Sequence, residues 1–211
     1  MSDPARILVV AATARELATH GAWRTLTCGV GPVEAAIATT AAIAAHRPDA
    51  IVHVGIAGGR CRRALAPASI VIGTDARYED LRVPAEWAPA VVAPDARLLA
   101  QMQRALPQAL TLSIGTSARV GGTLGGPLEG GVDVEAMEGF AVLRAAQRLG
   151  VPAIEVRAIA NEIEESDRAR WHVEAAFAAI TDVTPTLVEA ALAAIAPDAA
   201  DHPRPRDPCA S

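Results

Sequence analysis

The chain has 211 residues, 51% of them apolar and 20% charged, with a formal charge of −5, a profile that fits one folded domain. All 19 basic residues are arginine, which removes a phosphate-loop lysine, a Schiff-base lysine and a pyridoxal anchor together. The arginines are scattered among only three Trp, two Phe and one Tyr, so the basic, aromatic-lined stripe of a nucleic-acid groove is missing and no nucleic-acid partner is expected.

A run rich in Ile and Val predicts a first buried strand at 7–12, and an Ala-rich stretch predicts a helix over 33–45. Strands at 51–54 and 70–73, a helix over 95–105 and a strand at 110–114 follow. A short strand-like piece at 132–137 leads into a helix over 138–149, then a strand at 153–159. Continuous apolar runs of this kind are buried on both faces. The last helical stretches, 173–180 and 187–195, are either separated by Pro185 or form one helix kinked there. Alternating strands and helices predict an α/β fold with helices on both faces of a sheet. One domain over 1–196 and a disordered proline-rich tail over 197–211 are expected.

Other features narrow the setting. The start has no signal-peptide layout, and the apolar stretch 35–45 ends at His46-Arg47-Pro48, short of a membrane span. Cys28, Cys61 and Cys209 read as reduced thiols, so a soluble cytoplasmic protein without a membrane partner is expected. The histidines at 20, 46, 53, 172 and 202 have no i, i+4 pair and no neighbouring Cys, and they read as structural or exposed, with no metal expected.

Ligands of open α/β sheets sit at the carboxyl ends of strands. Here those ends are Ala11-Ala-Thr-Ala-Arg-Glu16, Gly55-Ile-Ala-Gly-Gly59, the 132–137 piece and Arg157-Ala-Ile-Ala-Asn161. Gly29-Val-Gly31-Pro-Val-Glu34 has the outline of a dinucleotide fingerprint, but Glu34 replaces its third glycine and no ribose-binding acid follows. It reads as a tight turn packing a helix on the sheet, without a nicotinamide cofactor. The Gly55–Gly59 cluster serves either a close approach to a flat ligand or a sharp turn. Glu155 and Arg157 share one face of an apolar strand. A buried Arg must be paired, so Arg157 either simply pairs with Glu155 or a helix charge, or orients a site carboxylate. Glu138 is an ordinary charge at a helix N-terminus or a carboxylate fixed for use there. Asn161, the single Asn of the chain, taken alone is a cap or turn residue.

Taken as an ordered set, Gly29-Val-Gly31, Val54-Gly-Ile-Ala-Gly-Gly59, Ala76-Arg-Tyr-Glu-Asp80, Val134-Glu-Ala-Met-Glu-Gly139 and Val156-Arg-Ala-Ile-Ala-Asn161 resemble the purine nucleoside phosphorylase and nucleosidase superfamily from about Arg6 to Ile195. The resemblance implies three layers, α/β/α, around a central mixed β-sheet. Within the superfamily the chain is most similar to the futalosine hydrolases of menaquinone biosynthesis, through the Val-Glu-x-Met-Glu-Gly run and Asp167-Arg168-Ala-Arg-Trp171. The sister methylthioadenosine/S-adenosylhomocysteine nucleosidases carry Asp where this chain has Asn161, and the loop Glu162-Ile-Glu-Glu-Ser166 is more acidic than the futalosine branch leads one to expect. By the resemblance, Glu16 activates the attacking water, Glu138 holds the ribose hydroxyls, Met137 packs under the sugar and Asn161 addresses the purine. The backbone at Ile56, Ala57 and Gly58 lines the nucleoside site, Ala118 within 117–120 meets the base edge, and Arg157 supports. No cofactor is implied, and a homodimer or higher homo-oligomer is.

The chemistry of these side chains agrees. Breaking an N-glycosidic bond builds positive charge on the sugar while the base leaves with electrons, needs that Glu16, Glu138 and Asn161 can meet. A phosphorylase needs a cationic clamp, for which Arg15 and Arg60 are the candidates, but a carboxylate at the first-strand turn would repel phosphate. A 6-oxopurine protonated at N7 offers a donor at N7 and an acceptor at O6, which one Asn amide matches. Against adenine one polar group is left unpaired, at about 1–3 kcal/mol. Hydrolysis of a 6-oxopurine nucleoside, futalosine above all, is therefore expected; a methylthioadenosine/S-adenosylhomocysteine or aminofutalosine nucleosidase and a non-catalytic nucleoside-binding family member are the alternatives. For the 5′ substituent, Arg77, Arg82, Arg119 and Arg168 are unranked cations, and Phe140, Trp87 and Tyr78 are candidate walls.

Overall fold

The computed structural model describes residues 3–122 and 131–196; the expected tail, 197–211, lies outside the described residues. Strand β1 (Ile7–Ala11) is buried along its whole length and lies between parallel neighbours β2 (Arg24–Thr27) and β3 (Ala50–Gly59). Helix α1 (Pro32–His46) opens at Gly31, whose φ of 92° suits a residue without a Cβ. Pro32 fills the first helical position, and the left-handed Arg47 before Pro48 ends the helix. β4 (Ile70–Tyr78), the two-residue β5 (Val91–Val92), α2 (Ala96–Ala105) and β6 (Leu110–Thr116) follow. Asp95 caps α2 by accepting from the Arg97 and Leu98 N–H groups.

β7 (Val134–Ala136), α3 (Gly139–Arg148), β8 (Ala153–Glu162) and α4 (Val173–Ile195) complete the chain. α4 is one helix with Pro185 inside it. Proline has no N–H for the carbonyl of Thr181, four residues earlier, and the Thr19 hydroxyl donates to that carbonyl instead, at 2.6 Å. α4 is long and apolar enough to cross a membrane, but Ala176, Ile180, Leu187, Val188 and Ala191 bury its stripe in the protein's own core.

The eight strands form one mixed sheet, in the order β2-β1-β3-β7-β6-β4-β5, and β8 pairs with both β3 and β4. That double pairing closes β3, β7, β6, β4 and β8 into a ring around a small core of Ala57, Val71, Ile114, Val134, Ala136 and Ile159. Closure goes beyond the open sheet that strand–helix alternation suggests. α2 and α4 pack on one face with Val52, Val54, Ile154 and Val156, and α1 and α3 on the other with Leu8, Val10 and Ile51. The fold is α/β, in three layers around a mixed sheet. Between Ala57 and Gly58 the β3–β8 register shifts by one residue, so Asn161 rather than Ala160 stands opposite Gly58, a bulge that re-aims the side chain.

Candidate active site

A cavity of about 220 Å³ opens at the carboxyl ends of β1, β3 and β8. Glu16, Ile56, Ala57, Gly58, Met137, Glu138 and Asn161 all line it. Four segments that are distant in sequence thus meet where strand topology predicts a ligand. Ala118 is not among the described lining residues: it lies exposed, with its N–H given to Asp80 Oδ2 at 2.6 Å. Val120, two residues on, reaches the cavity instead. Directly after β6, Asp80 holds Ser117 and Ala118, and Val120 follows them to the cavity.

Glu16 sits in a short 3-10 turn, Ala14–Leu17, directly after β1. Thr13 and Glu16 form a reciprocal capping box, so the acid is turned back over the strand end. Its Oε2 accepts from the Thr13 N–H at 2.8 Å and from the Thr13 hydroxyl at 2.9 Å, while Oε1 accepts from the Ile56 N–H at 3.2 Å. A buried carboxylate with three donors has one orientation. It can act as a general base without first being ordered.

Glu138 precedes α3 but does not cap it. The Thr116 hydroxyl takes that place by accepting from the Phe140 N–H at 2.8 Å. Glu138 Oε1 accepts from the Gly31 N–H at 3.0 Å, and its Oε2 is 3.4 Å from Arg157 Nη2. The Gly29–Gly31 turn is therefore both a packing turn and a support for the site, and φ of 83° and 92° at these two glycines aims the N–H.

Arg157 contacts both Glu155 on its own strand and Glu138 at the start of α3. Its Nε donates to Glu155 Oε1 at 2.8 Å, and its Nη2 reaches Glu138. A Cβ on Gly55 would stand 2.1 Å from Arg157 Nη1 and 2.7 Å from Glu16 Oε1, so the guanidinium and the Glu16 carboxylate come together over the bare backbone of Gly55. This close approach, within a straight strand, is what the first glycine of the cluster provides. Burial pulls the Arg157 pKa down, but Glu155, Glu138 and Glu16 outweigh it and the pKa is raised. Burial pushes the Glu155 carboxyl upward, with Arg157 opposing. The Cys28 thiol, beside the turn, is pushed up to about 12 by burial and by Glu138, which makes it a poor nucleophile.

At the other end, Asn161 Nδ2 donates to the Glu162 carbonyl at 2.8 Å. Thr13, Val30, Glu135, Trp171 and Phe177 also line the cavity. Glu135, register partner of Gly58, accepts from the Gly121 N–H at 2.6 Å. Sequence reading singled out none of these as lining residues. The signals for them were indirect: Thr13 lies in the first strand end, Val30 and Glu135 stand inside the family motifs, and Trp171 ends the segment shared with the futalosine branch. The aromatics expected to form walls lie elsewhere: Tyr78 and Phe140 stack on each other at 5.3 Å, and Trp87 is 76% exposed. Of the four unranked arginines, Arg168 is the one whose guanidinium lies over a cavity aromatic, 5.6 Å from the Trp171 ring. Among the described residues no three His, Cys, Asp or Glu come together as a metal site.

Known proteins with this sequence pattern share the arrangement of elements. The family model described as "Phosphorylase superfamily" matches residues 17–196. The chain is 36% identical to the futalosine hydrolase of Streptomyces coelicolor over 76% of each chain. It is 30% identical to the 5′-methylthioadenosine/S-adenosylhomocysteine nucleosidase of Shewanella halifaxensis, over 63% of this chain and 65% of that one. Among solved structures, the Neisseria meningitidis nucleosidase of the latter name, in complex with methylthio-immucillin-A, superposes with a TM-score of 0.77 at 21% identity, over 87% of this chain and 98% of its own. Helicobacter pylori futalosine hydrolase gives 0.76 at 14% identity, over 87% and 97%. The chain belongs to the phosphorylase superfamily.

Proposed function

We propose that this protein is a nucleosidase that hydrolyses the N-glycosidic bond of a 6-oxopurine nucleoside, with futalosine its best-matched substrate, giving hypoxanthine and the free sugar. The observation that carries the reading is the state of the Asn161 amide. One Nδ2 hydrogen is held by the Glu162 carbonyl, which leaves one N–H and Oδ1 for the base. Flipping the amide would set Oδ1 against that carbonyl, acceptor against acceptor. The remaining pair suits O6 and N7–H of hypoxanthine; adenine would leave a donor unmatched.

Glu16 is the general base in this reading, Glu138 accepts from the ribose hydroxyls, and Met137 packs under the sugar. Hydrolysis rather than phosphorolysis is supported by where the candidate clamp arginines go. Arg15 is paired with Glu174 at 2.6 Å as it lies over Phe177, and Arg60 reaches toward Glu164 at 3.8 Å. Trp171 and Phe177, with Arg168 over the former, suit an apolar 5′ group that carries a carboxylate. We place the reaction in the cytoplasm, where free thiols such as Cys28 and Cys61 stay reduced, and within a single domain of residues 1–196. A homo-oligomer is supported by the apolar groove between α1 and α3, where Val33 is 66% and Ile37 62% exposed. Light scattering reads its mass.

The relatives named methylthioadenosine/S-adenosylhomocysteine nucleosidases favour a second reading, adenine nucleoside hydrolysis. Product analysis with futalosine, inosine and methylthioadenosine, with and without phosphate, decides. Free hypoxanthine and free sugar, at a rate indifferent to phosphate, are expected. A sugar 1-phosphate, or preference for methylthioadenosine, would overturn the reading, and no turnover with any of the three would leave a nucleoside-binding protein.

A further inference from the structure

One buried titratable group has no part in the proposed chemistry. His53 lies in the middle of β3 between Val52 and Val54 and is fully buried. The β3–β8 register sets His53 beside Glu155 and Gly55 beside Arg157. Register partners point to the same face of a sheet, as do residues two apart on a strand, so the four positions form a square. Three of its corners carry polar side chains, and the fourth carries none. Arg157 folds across the empty corner and meets His53 on the diagonal, with Nη2 2.5 Å from the imidazole Nε2.

The imidazole is fixed from its other side as well. Nδ1 lies 3.0 Å from the Val10 carbonyl, and a carbonyl can only accept, so Nδ1 carries the proton and Nε2 presents a lone pair. Burial, with the Arg157 charge adding to it, holds the His53 pKa well below its ordinary value. The charged groups around it are Arg157 and Glu155 on β8 and Glu138 at the start of α3. A guanidinium held only at Nε can rotate about that bond. A second acceptor at Nη2 sets its plane, and Nη2 is also the nitrogen that reaches Glu138.

We propose that His53 is a positioning residue for nucleoside hydrolysis: its Nε2 accepts from Arg157 and holds the guanidinium where it orients Glu138 under the ribose hydroxyls. The role rests on the nucleosidase reading, and it makes a strand-centre histidine part of the sugar subsite. Misplacing a site group by an ångström costs about 10² in rate.

The test uses His53→Leu, which removes the acceptor at similar volume, and His53→Gln, whose amide oxygen can reach the place of Nε2. kcat/KM is measured on inosine and on its 2′- and 3′-deoxy analogues. With inosine, His53→Leu should lose about 10–100-fold and His53→Gln should recover to within about fivefold. With the deoxy analogue that lacks the hydroxyl held by Glu138, the Leu penalty should shrink to less than about threefold. A His53→Leu variant as active as the parent, or an equal loss on all three substrates without recovery in Gln, overturns the proposal. ¹⁵N NMR of histidine-labelled parent protein needs no variant: His53 should be protonated at Nδ1, bare at Nε2, and silent between pH 5.5 and 8. A resonance that titrates there, or a proton on Nε2, overturns it even if His53→Leu does not fold. A parent that cleaves no nucleoside would count against the proposed function, while the tautomer would still report on the Arg157 contact.

Discussion

Replacing Gly55 by alanine probes the tightest contact in the site. The new methyl would lie 2.1 Å from Arg157 Nη1 and 2.7 Å from Glu16 Oε1. Relaxed non-bonded contacts begin near ~3.5 Å, so the guanidinium must retreat by roughly 1.4 Å or the strand must bend. Neither move is local. Arg157 is tied at the same time to Glu155, His53 and Glu138, and Glu16 is held on the Ile56 N–H of the same strand. Breaking a buried ion pair by displacing one partner costs about 3–5 kcal/mol; since the guanidinium shifts without being removed, we expect about 2–3 kcal/mol of lost stability. In the proposed nucleosidase, a displacement of an ångström or more at Glu16 or Arg157 adds a loss of about 10² in kcat/KM. Urea denaturation read by tryptophan fluorescence, with initial rates of base release, measures both. Gly59→Ala is the matched control, because the atoms nearest its methyl all belong to the Leu65 side chain, the closest at 3.0 Å, and that side chain can shift by a few tenths of an ångström. If Gly55→Ala keeps the parent's midpoint and its kcat/KM within threefold, then Arg157 and Glu16 are not packed over Gly55 as described.

Three further outcomes follow from the same geometry. Glu16→Gln should lower kcat by about 10²–10⁴ with substrate binding largely kept, and a near-normal kcat removes Glu16 from the mechanism. Asn161→Asp exchanges a donor–acceptor pair for acceptors only, so the ratio of kcat/KM for futalosine over aminofutalosine should fall at least tenfold, and an unchanged ratio shows that Asn161 does not read the base. His53 is neutral when folded and takes a proton when unfolded, so its contribution to stability is present above pH 6.5, its ordinary pKa, and is lost as pH falls below it. The slope reaches at most about 1.4 kcal/mol per pH unit, and comparison with His53→Gln cancels the opposite contribution of Glu155, whose raised pKa favours the folded state as pH falls; equal slopes in the two proteins refute the assignment.

What could be read from sequence follows the physics of burial. β1, β4 and β8 announce themselves through Ile and Val, as strands buried over much of their length do, and β6 through the alternation Leu-Thr-Leu-Ser-Ile. β2 does not, since Arg24–Thr27 is an exposed edge with a single Leu, and Val91–Val92 is too short to have a pattern. The continuation of β3 through Gly55–Gly59 was masked by glycines that suggest a turn. Closure of the sheet by β8 is a non-local pairing with no local signature. In the site, Glu16, Met137, Glu138 and Asn161 stand at element ends, and their convergence was legible through the family pattern. Trp171 and Phe177 reach the cavity through the way α4 docks, and His53 owes its setting to a register between residues 102 positions apart, His53 and Glu155, which spacing along the chain does not encode.

The two carboxylates lean on main-chain donors: Glu16 on the Thr13 and Ile56 N–H groups, Glu138 on that of Gly31. A main-chain donor survives almost any change of the side chain beside it. A change at Ile56 therefore leaves the donor in place and is judged on the packing of its side chain alone, while Gly31, which contributes no side chain at all, is constrained by its φ of 92°. In a saturation scan the tolerance map of this pocket would depart from the map of contacts: the silent Gly31 would be fixed, and Ile56, whose N–H holds Glu16, would accept other apolar residues.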